Sequence, residues 1–141
     1  MWIVSTSGFI SVVADRDDRD VLVIRARDKR TLELLLQLAR PLLDVLRLSK
    51  RVQPMTVPEP VIEESGTTDY RFRVRLPRAV VREAVAGMVA DISYDNVKTA
   101  VTRSRGVRYG TVLNDAWVVF RRLQEPEPRN KRNGNGKGRR R

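Results

Sequence analysis

The sequence predicts an α+β domain: an antiparallel sheet made of an N-terminal meander plus one later strand, with helices packed on one face. Three observations carry this expectation. Residues 1–27 hold three runs rich in β-branched and aromatic residues, joined by turns too short for parallel crossovers. Tyr70-Arg71-Phe72-Arg73-Val74-Arg75-Leu76 alternates strictly between apolar and basic side chains. Elsewhere the apolar residues return at helical spacing.

The first two strands are expected at 2–5 and 9–14, separated by Thr6-Ser7-Gly8, which has the chemistry of a short hairpin turn. Asp15 to Asp20 makes a second turn before a third strand at 21–27. That strand begins apolar on both faces and ends with Arg25 and Arg27 on one face and Ala26 on the other. Asp28 is an N-cap candidate for a helix whose apolar face holds Leu32, Leu35, Leu36, Ala39, Leu42, Leu43 and Leu46. Pro41 predicts a break into segments 30–40 and 41–49, because an interior proline clashes with the carbonyl four residues back.

Residues 51–69 contain three prolines, Gly66 and the acidic residues Glu59, Glu63, Glu64 and Asp69 without any period, so an acidic loop is expected there. The alternating strand at 70–76 places Tyr70, Phe72, Val74 and Leu76 in the core and three arginines on the opposite face. Pro77 opens a helix carrying Val81, Ala84, Val85, Met88, Val89 and Ile92. A shorter helix is expected over 94–103, with Asp95 or Asn96 as its cap, and Arg105-Gly106 leads into a last one. Its face of Tyr109, Val112, Leu113, Ala116, Trp117, Phe120 and Leu123 is expected to dock on the sheet or on neighbouring helices.

Composition bounds the chemistry. The 141 residues suffice for one domain, placed at 1–124, followed by a Pro-containing spacer and basic tail at 125–141. There is no His and no Cys, which removes the usual zinc sites, disulfides, thiol nucleophiles and histidine bases. No Gly-rich phosphate loop or well-spaced carboxylate pair stands out, so neither enzyme activity nor a cofactor is expected. The net charge is +11 and is concentrated in RNKRNGNGKGRRR, residues 129–141. With seven of the 28 basic residues there, residues 1–128 keep 21 against 17 acidic ones, an excess of +4. The tail has no apolar residue and is expected to be disordered in isolation. No run approaches the roughly 20 apolar residues of a membrane span.

The acidic turn Asp15-Arg16-Asp17-Asp18-Arg19-Asp20 fails the calcium-loop pattern, since the glycine and glutamate positions hold Asp20 and Ala26. It reads as a solvated turn. Arg71, Arg73 and Arg75 repeat about every 6.6 Å along their strand, near the phosphate spacing of an extended single strand. Arg25 and Arg27 would extend them into a five-arginine platform on an open sheet face. The competing reading is a charged face neutralised by partners such as the acidic loop. Base stacking is not expected, because Tyr70 and Phe72 share parity with the core. The tail cations Arg129, Lys131, Arg132, Lys137, Arg139, Arg140 and Arg141 suit non-specific contact with phosphates.

The segments MWIVSTSGFISVVADRDDRDVLVIRARDK, YRFRVRLPRA, ISYDNVK and WVVFRRLQ resemble a group of small proteins of actinobacteria and their phages to which no activity is assigned. The resemblance covers residues 1–124, departs from the group at Val97, where an aromatic is usual, and implies an ordered domain ending at Gln124 in a bacterial or phage cytoplasm. It carries no catalytic role. The expected function is therefore a nucleic-acid-binding accessory protein that contacts the phosphates of DNA or RNA through its tail and arginine face. The alternative is a phage-type interaction protein that modulates a host protein through its last helix or acidic loop. No membrane partner is expected.

Overall fold

The computed structural model describes residues 1–48 and 58–124. The N-terminal meander consists of β1 (Trp2–Ser5), β2 (Gly8–Ala14) and β3 (Val21–Ala26), followed by α1 (Lys29–Leu48). Then come β4 (Glu63–Glu64), β5 (Phe72–Pro77), α2 (Arg78–Ala90), α3 (Val97–Arg105) and α4 (Val107–Phe120), with a 3₁₀ turn over Arg121–Gln124. The five strands form one antiparallel sheet in the order β1-β2-β3-β5-β4. The fold is thus α+β, with the later strand β5 closing on the meander through β3. Among the described residues no helix is long and apolar enough to cross a membrane.

Alternation places the core. Ile10 and Val12 of β2, Ile24 and Ala26 of β3, and Val74 and Leu76 of β5 point to one face. There they meet Leu32, Leu35, Leu36, Ala39 and Leu43 of α1 and Val80, Val81 and Ala84 of α2. Two helices therefore cover that face. Asp28 caps α1 by accepting a hydrogen bond from the Thr31 amide at 3.0 Å. On α2 the apolar stripe is shorter than its sequence pattern: Val89 is exposed, and Ile92 lies beyond the helix and is exposed too.

The break expected at Pro41 does not occur, and α1 runs unbroken from Lys29 to Leu48. Pro41 and Gln37, whose carbonyl loses its donor, both lie on the exposed side of the helix. Water can satisfy that carbonyl, while the leucines on the opposite side keep the axis seated on the sheet. Pro41→Ala is therefore expected to stabilise the protein by about 2 kcal/mol, roughly 3 from the helix interior less about 1 from a looser unfolded chain. Urea denaturation measures it; an unchanged midpoint would mean that the proline ring itself packs.

The acidic segment corrects a second expectation. Residues 58–62 lack regular structure, but Glu63 and Glu64 form β4 and pair with Arg73 and Phe72. Nothing in local propensity marks them as a strand; cross-strand ion pairs to arginines hold them there. Residues 49–57 and the spacer and tail at 125–141 lie outside the described residues.

Tyr70 corrects a third. The regular strand begins at Phe72, not Tyr70. The chain bends ahead of it, with the Ser65 amide bonded to the Arg71 carbonyl at 2.8 Å and the Thr68 hydroxyl to the Tyr70 carbonyl at 2.7 Å. Strict alternation needs strand backbone, so Tyr70 is freed to turn onto the face opposite α1 and α2. It is buried there, outside the helix-covered core.

α3 and α4 form a hairpin attached at the β1–β2 turn. Asn96 caps α3, its side chain accepting from the amides of Lys98 and Thr99. Gly106, at φ 91°, provides the reversal between the helices. The Ser104 hydroxyl donates to the Thr6 carbonyl, Arg105 to the Ser7 carbonyl, and the Tyr109 hydroxyl accepts from the Phe9 amide at 2.9 Å. Gly8 sits beneath this junction with φ 130°, and a Cβ there would collide with Thr31 Oγ1. The last helix is less buried than its pattern predicts: Leu113 is buried and Trp117 half-buried, whereas Val112, Phe120 and Leu123 are exposed.

Candidate nucleic-acid interface

The face of the sheet opposite α1 and α2 is organised by register. Trp2 pairs with Ser11, Ser11 with Arg25, Arg25 with Arg73 and Arg73 with Glu63, so one row crosses all five strands. Directly paired residues share a face, and this row therefore presents a tryptophan at one end and two adjacent guanidinium groups near the other. Ser11 is buried although it points away from the helices, because Arg25 lies over it and donates to its hydroxyl at 2.9 Å.

Beside the row runs an aromatic floor. Trp2 meets Phe9 edge-on at 5.5 Å between centroids, and Phe9 stacks with Tyr70 at 6.4 Å. The Tyr70 ring carries two cations, with the Arg25 guanidinium carbon at 4.7 Å and that of Arg27 at 5.4 Å from its centroid. Contacts of this kind hold the guanidinium planes in place without neutralising them.

The five arginines expected as one platform divide into two sets. Arg71 pairs with Glu64 at 2.6 Å, and Arg75 pairs with Glu63 and, at 3.0 Å, with Asp15. The amide of Asp17 and the Arg75 guanidinium hold the Asp15 carboxyl below the usual carboxylate range. Arg25, Arg27 and Arg73 have no carboxylate partner within the described residues. Arg73 donates to the Thr68 hydroxyl at 3.1 Å, and the Nε atoms of Arg25 and Arg73 are buried without a hydrogen-bond partner. Two like charges directly opposite each other on neighbouring strands destabilise a sheet, and the one carboxylate in their row, Glu63, is turned to Arg75 rather than to Arg73.

The remaining candidates resolve into local structure. In the acidic turn, Asp15 and Asp18 accept from the amides of Asp17 and Asp20, which is ordinary turn chemistry. Asn96 is a helix cap, and Lys98 lies over the Trp117 ring at 5.0 Å. Arg129, Lys131, Arg132, Lys137, Arg139, Arg140 and Arg141 fall outside the described residues.

Sequence reasoning missed the aromatics of this face. Ser11 was the available signal: Phe9 shares its parity, and a two-residue Thr6-Ser7 turn places Trp2 opposite it. Tyr70 had no such signal, since its parity pointed the wrong way. Comparison with protein-family models, curated proteins and solved structures returned no match.

Proposed function

We propose that this is a small nucleic-acid-binding accessory protein of a bacterial or phage cytoplasm, in which a basic tail supplies affinity and the outer sheet face orients the phosphate backbone. The observation that carries the reading is the trio Arg25, Arg27 and Arg73, the first two held on the Tyr70 ring and the third bonded to the Thr68 hydroxyl, without an ion-paired carboxylate within the described residues. Arginines kept soluble by their surroundings resemble Arg71 and Arg75, each facing a glutamate. The trio instead has no carboxylate at ion-pair distance among the described residues, so an anion is its natural complement.

The test is titration with random DNA and RNA at two salt concentrations, with and without residues 129–141. Deleting the tail is expected to weaken binding to all sequences alike and to flatten the log–log salt dependence by about 6 on duplex DNA, somewhat less on single strands. No measurable affinity at low salt would sink the proposal.

A second reading has its own observation. Val112, Ala116, Val119, Phe120 and Leu123 recur at helical spacing along α4 and its 3₁₀ extension, and all but the half-buried Ala116 are exposed. Such a stripe suits a protein partner, and a modulator of a host protein would dock there.

A further inference from the structure

We infer that the outer sheet face takes single-stranded nucleic acid, with a base stacked on Trp2 and the neighbouring phosphates on Arg25, Arg27 and Arg73. The inference rests on the proposed nucleic-acid reading and narrows it to a strand class and a stacking residue.

The geometry begins with the shared row. Trp2 is two strands from Arg25 and three from Arg73, which at about 4.8 Å per strand puts its Cα roughly 10 and 14 Å away. That span is on the order of two nucleotides of an extended chain, so one short stretch can reach both ends of the row. Beside the row Phe9 links Trp2 to Tyr70, whose ring is buried beneath Arg25 and Arg27.

Trp2 itself is 59% exposed, although Phe9 and, at 6.1 Å, Phe120 brace it. Both braces meet it at steep angles, 75° and 52°, so neither neighbouring ring lies flat on the indole. A large apolar ring held firmly yet left open is the feature that stacks a base. Tyr70, by contrast, is only 4% exposed and lies beneath arginines, which makes it the support for the cations rather than a second stacking site.

Duplex nucleic acid fits this face poorly. Its bases are already stacked on one another and hidden behind two backbones, so it could use the arginines and not the tryptophan. A single strand uses both, because its bases can be splayed from a backbone that lies on the cations.

The experiment uses the full-length chain carrying Trp117→Phe, which leaves Trp2 as its sole tryptophan, with 12-nucleotide oligo(dT), 12-nucleotide oligo(U) and a 12-base-pair duplex as probes. Saturating oligo(dT) or oligo(U) is expected to quench Trp2 fluorescence. In the otherwise wild-type chain, Trp2→Ala is expected to weaken single-strand binding about tenfold or more while leaving duplex affinity within twofold; Trp2→Phe should recover most of the loss. A thermal midpoint for each variant separates loss of fold from loss of stacking. Equal effects of Trp2→Ala on single strands and duplex, or none on either, would overturn the inference while leaving the nucleic-acid reading in place. Absence of binding to all three probes would overturn both.

Discussion

Asp28→Ala is expected to lower stability by about 3 kcal/mol and to loosen the attachment of the α3–α4 hairpin to the sheet. One carboxylate does three jobs there. It caps α1 through the Thr31 amide at 3.0 Å, accepts from the Thr31 hydroxyl at 2.8 Å, and pairs with Arg105 at 2.6 Å. Arg105 is the buried partner, its side chain 5% exposed against 36% for Asp28. It also donates to the Ser7 carbonyl and lies 4.6 Å from the centre of the Tyr109 ring. Losing the carboxylate strands a buried cation, which costs roughly 3–5 kcal/mol in comparable settings, and the partial exposure of Asp28 argues for the lower end. Arg105→Ala should cost a similar amount, and the double variant should cost less than the sum of the two. Urea denaturation gives the totals. Amide exchange should show α3 and α4 opening before the sheet; a loss below about 1 kcal/mol, with α4 amides unchanged, would refute the role assigned to this pair.

The same group sets an acid limit. Burial pushes the Asp28 carboxyl up, but the Thr31 hydroxyl, Arg105 and the Thr31 amide together outweigh it and hold the group below its usual 3.8. A carboxyl depressed in the folded state stabilises fully above its unfolded value and loses that contribution as the pH falls through the folded one. Attachment of the hairpin is therefore expected to persist at neutral pH and to weaken only below about pH 4. Asp28→Asn should remove most of that dependence, which acid titrations of the two proteins would compare.

How much of this was legible depended on whether a residue's fate was local. Phe72 to Leu76 alternate, and backbone pleating alone sends Val74 inward and Arg75 outward. Asp28 precedes a leucine-rich run, and capping chemistry is equally local. Tyr70 was misread because its side depends on a bend made by Ser65, Thr68 and Arg71, whose hydrogen bonds have no sequence signature. Pro41 was misread because an exposed gap in the hydrogen-bond ladder costs less than breaking a leucine face already seated on the sheet. Glu63 and Glu64 became a strand only through arginines that lie about ten residues away. The division of five arginines into paired and unpaired sets follows from that same pairing and could not be read from parity.

Arg25→Gln with Arg73→Gln is expected to reduce single-strand affinity about 100-fold, whereas Arg71→Gln with Arg75→Gln changes it by less than threefold. Both double variants remove two positive charges from the sheet, so a protein that bound through net charge alone would respond equally to either. The difference lies in what each cation already faces. Arg71 and Arg75 have Glu64, Glu63 and Asp15 against them, and a phosphate would have to displace those carboxylates. Arg25 and Arg73 bond a serine and a threonine and lie by an aromatic ring, and Glu63, opposite Arg73 in the register, is taken up by Arg75. A charge-assisted hydrogen bond contributes roughly 1.5 kcal/mol or more, and two of them account for the factor expected. The salt slope on single strands should fall by about 1.4 in the first variant and barely move in the second. Removing Arg71 and Arg75 costs surface ion pairs of at most about 1 kcal/mol each, while removing Arg25 and Arg73 relieves a like-charge pair but gives up one cation–π contact and the bonds to the Ser11 and Thr68 hydroxyls, so neither change is expected to unfold the protein. A binding defect in the Arg25/Arg73 variant with an unchanged thermal midpoint would thus place the interface on the unpaired arginines, equal losses in both variants would mean binding through net charge alone, and no loss in either would leave only the tail.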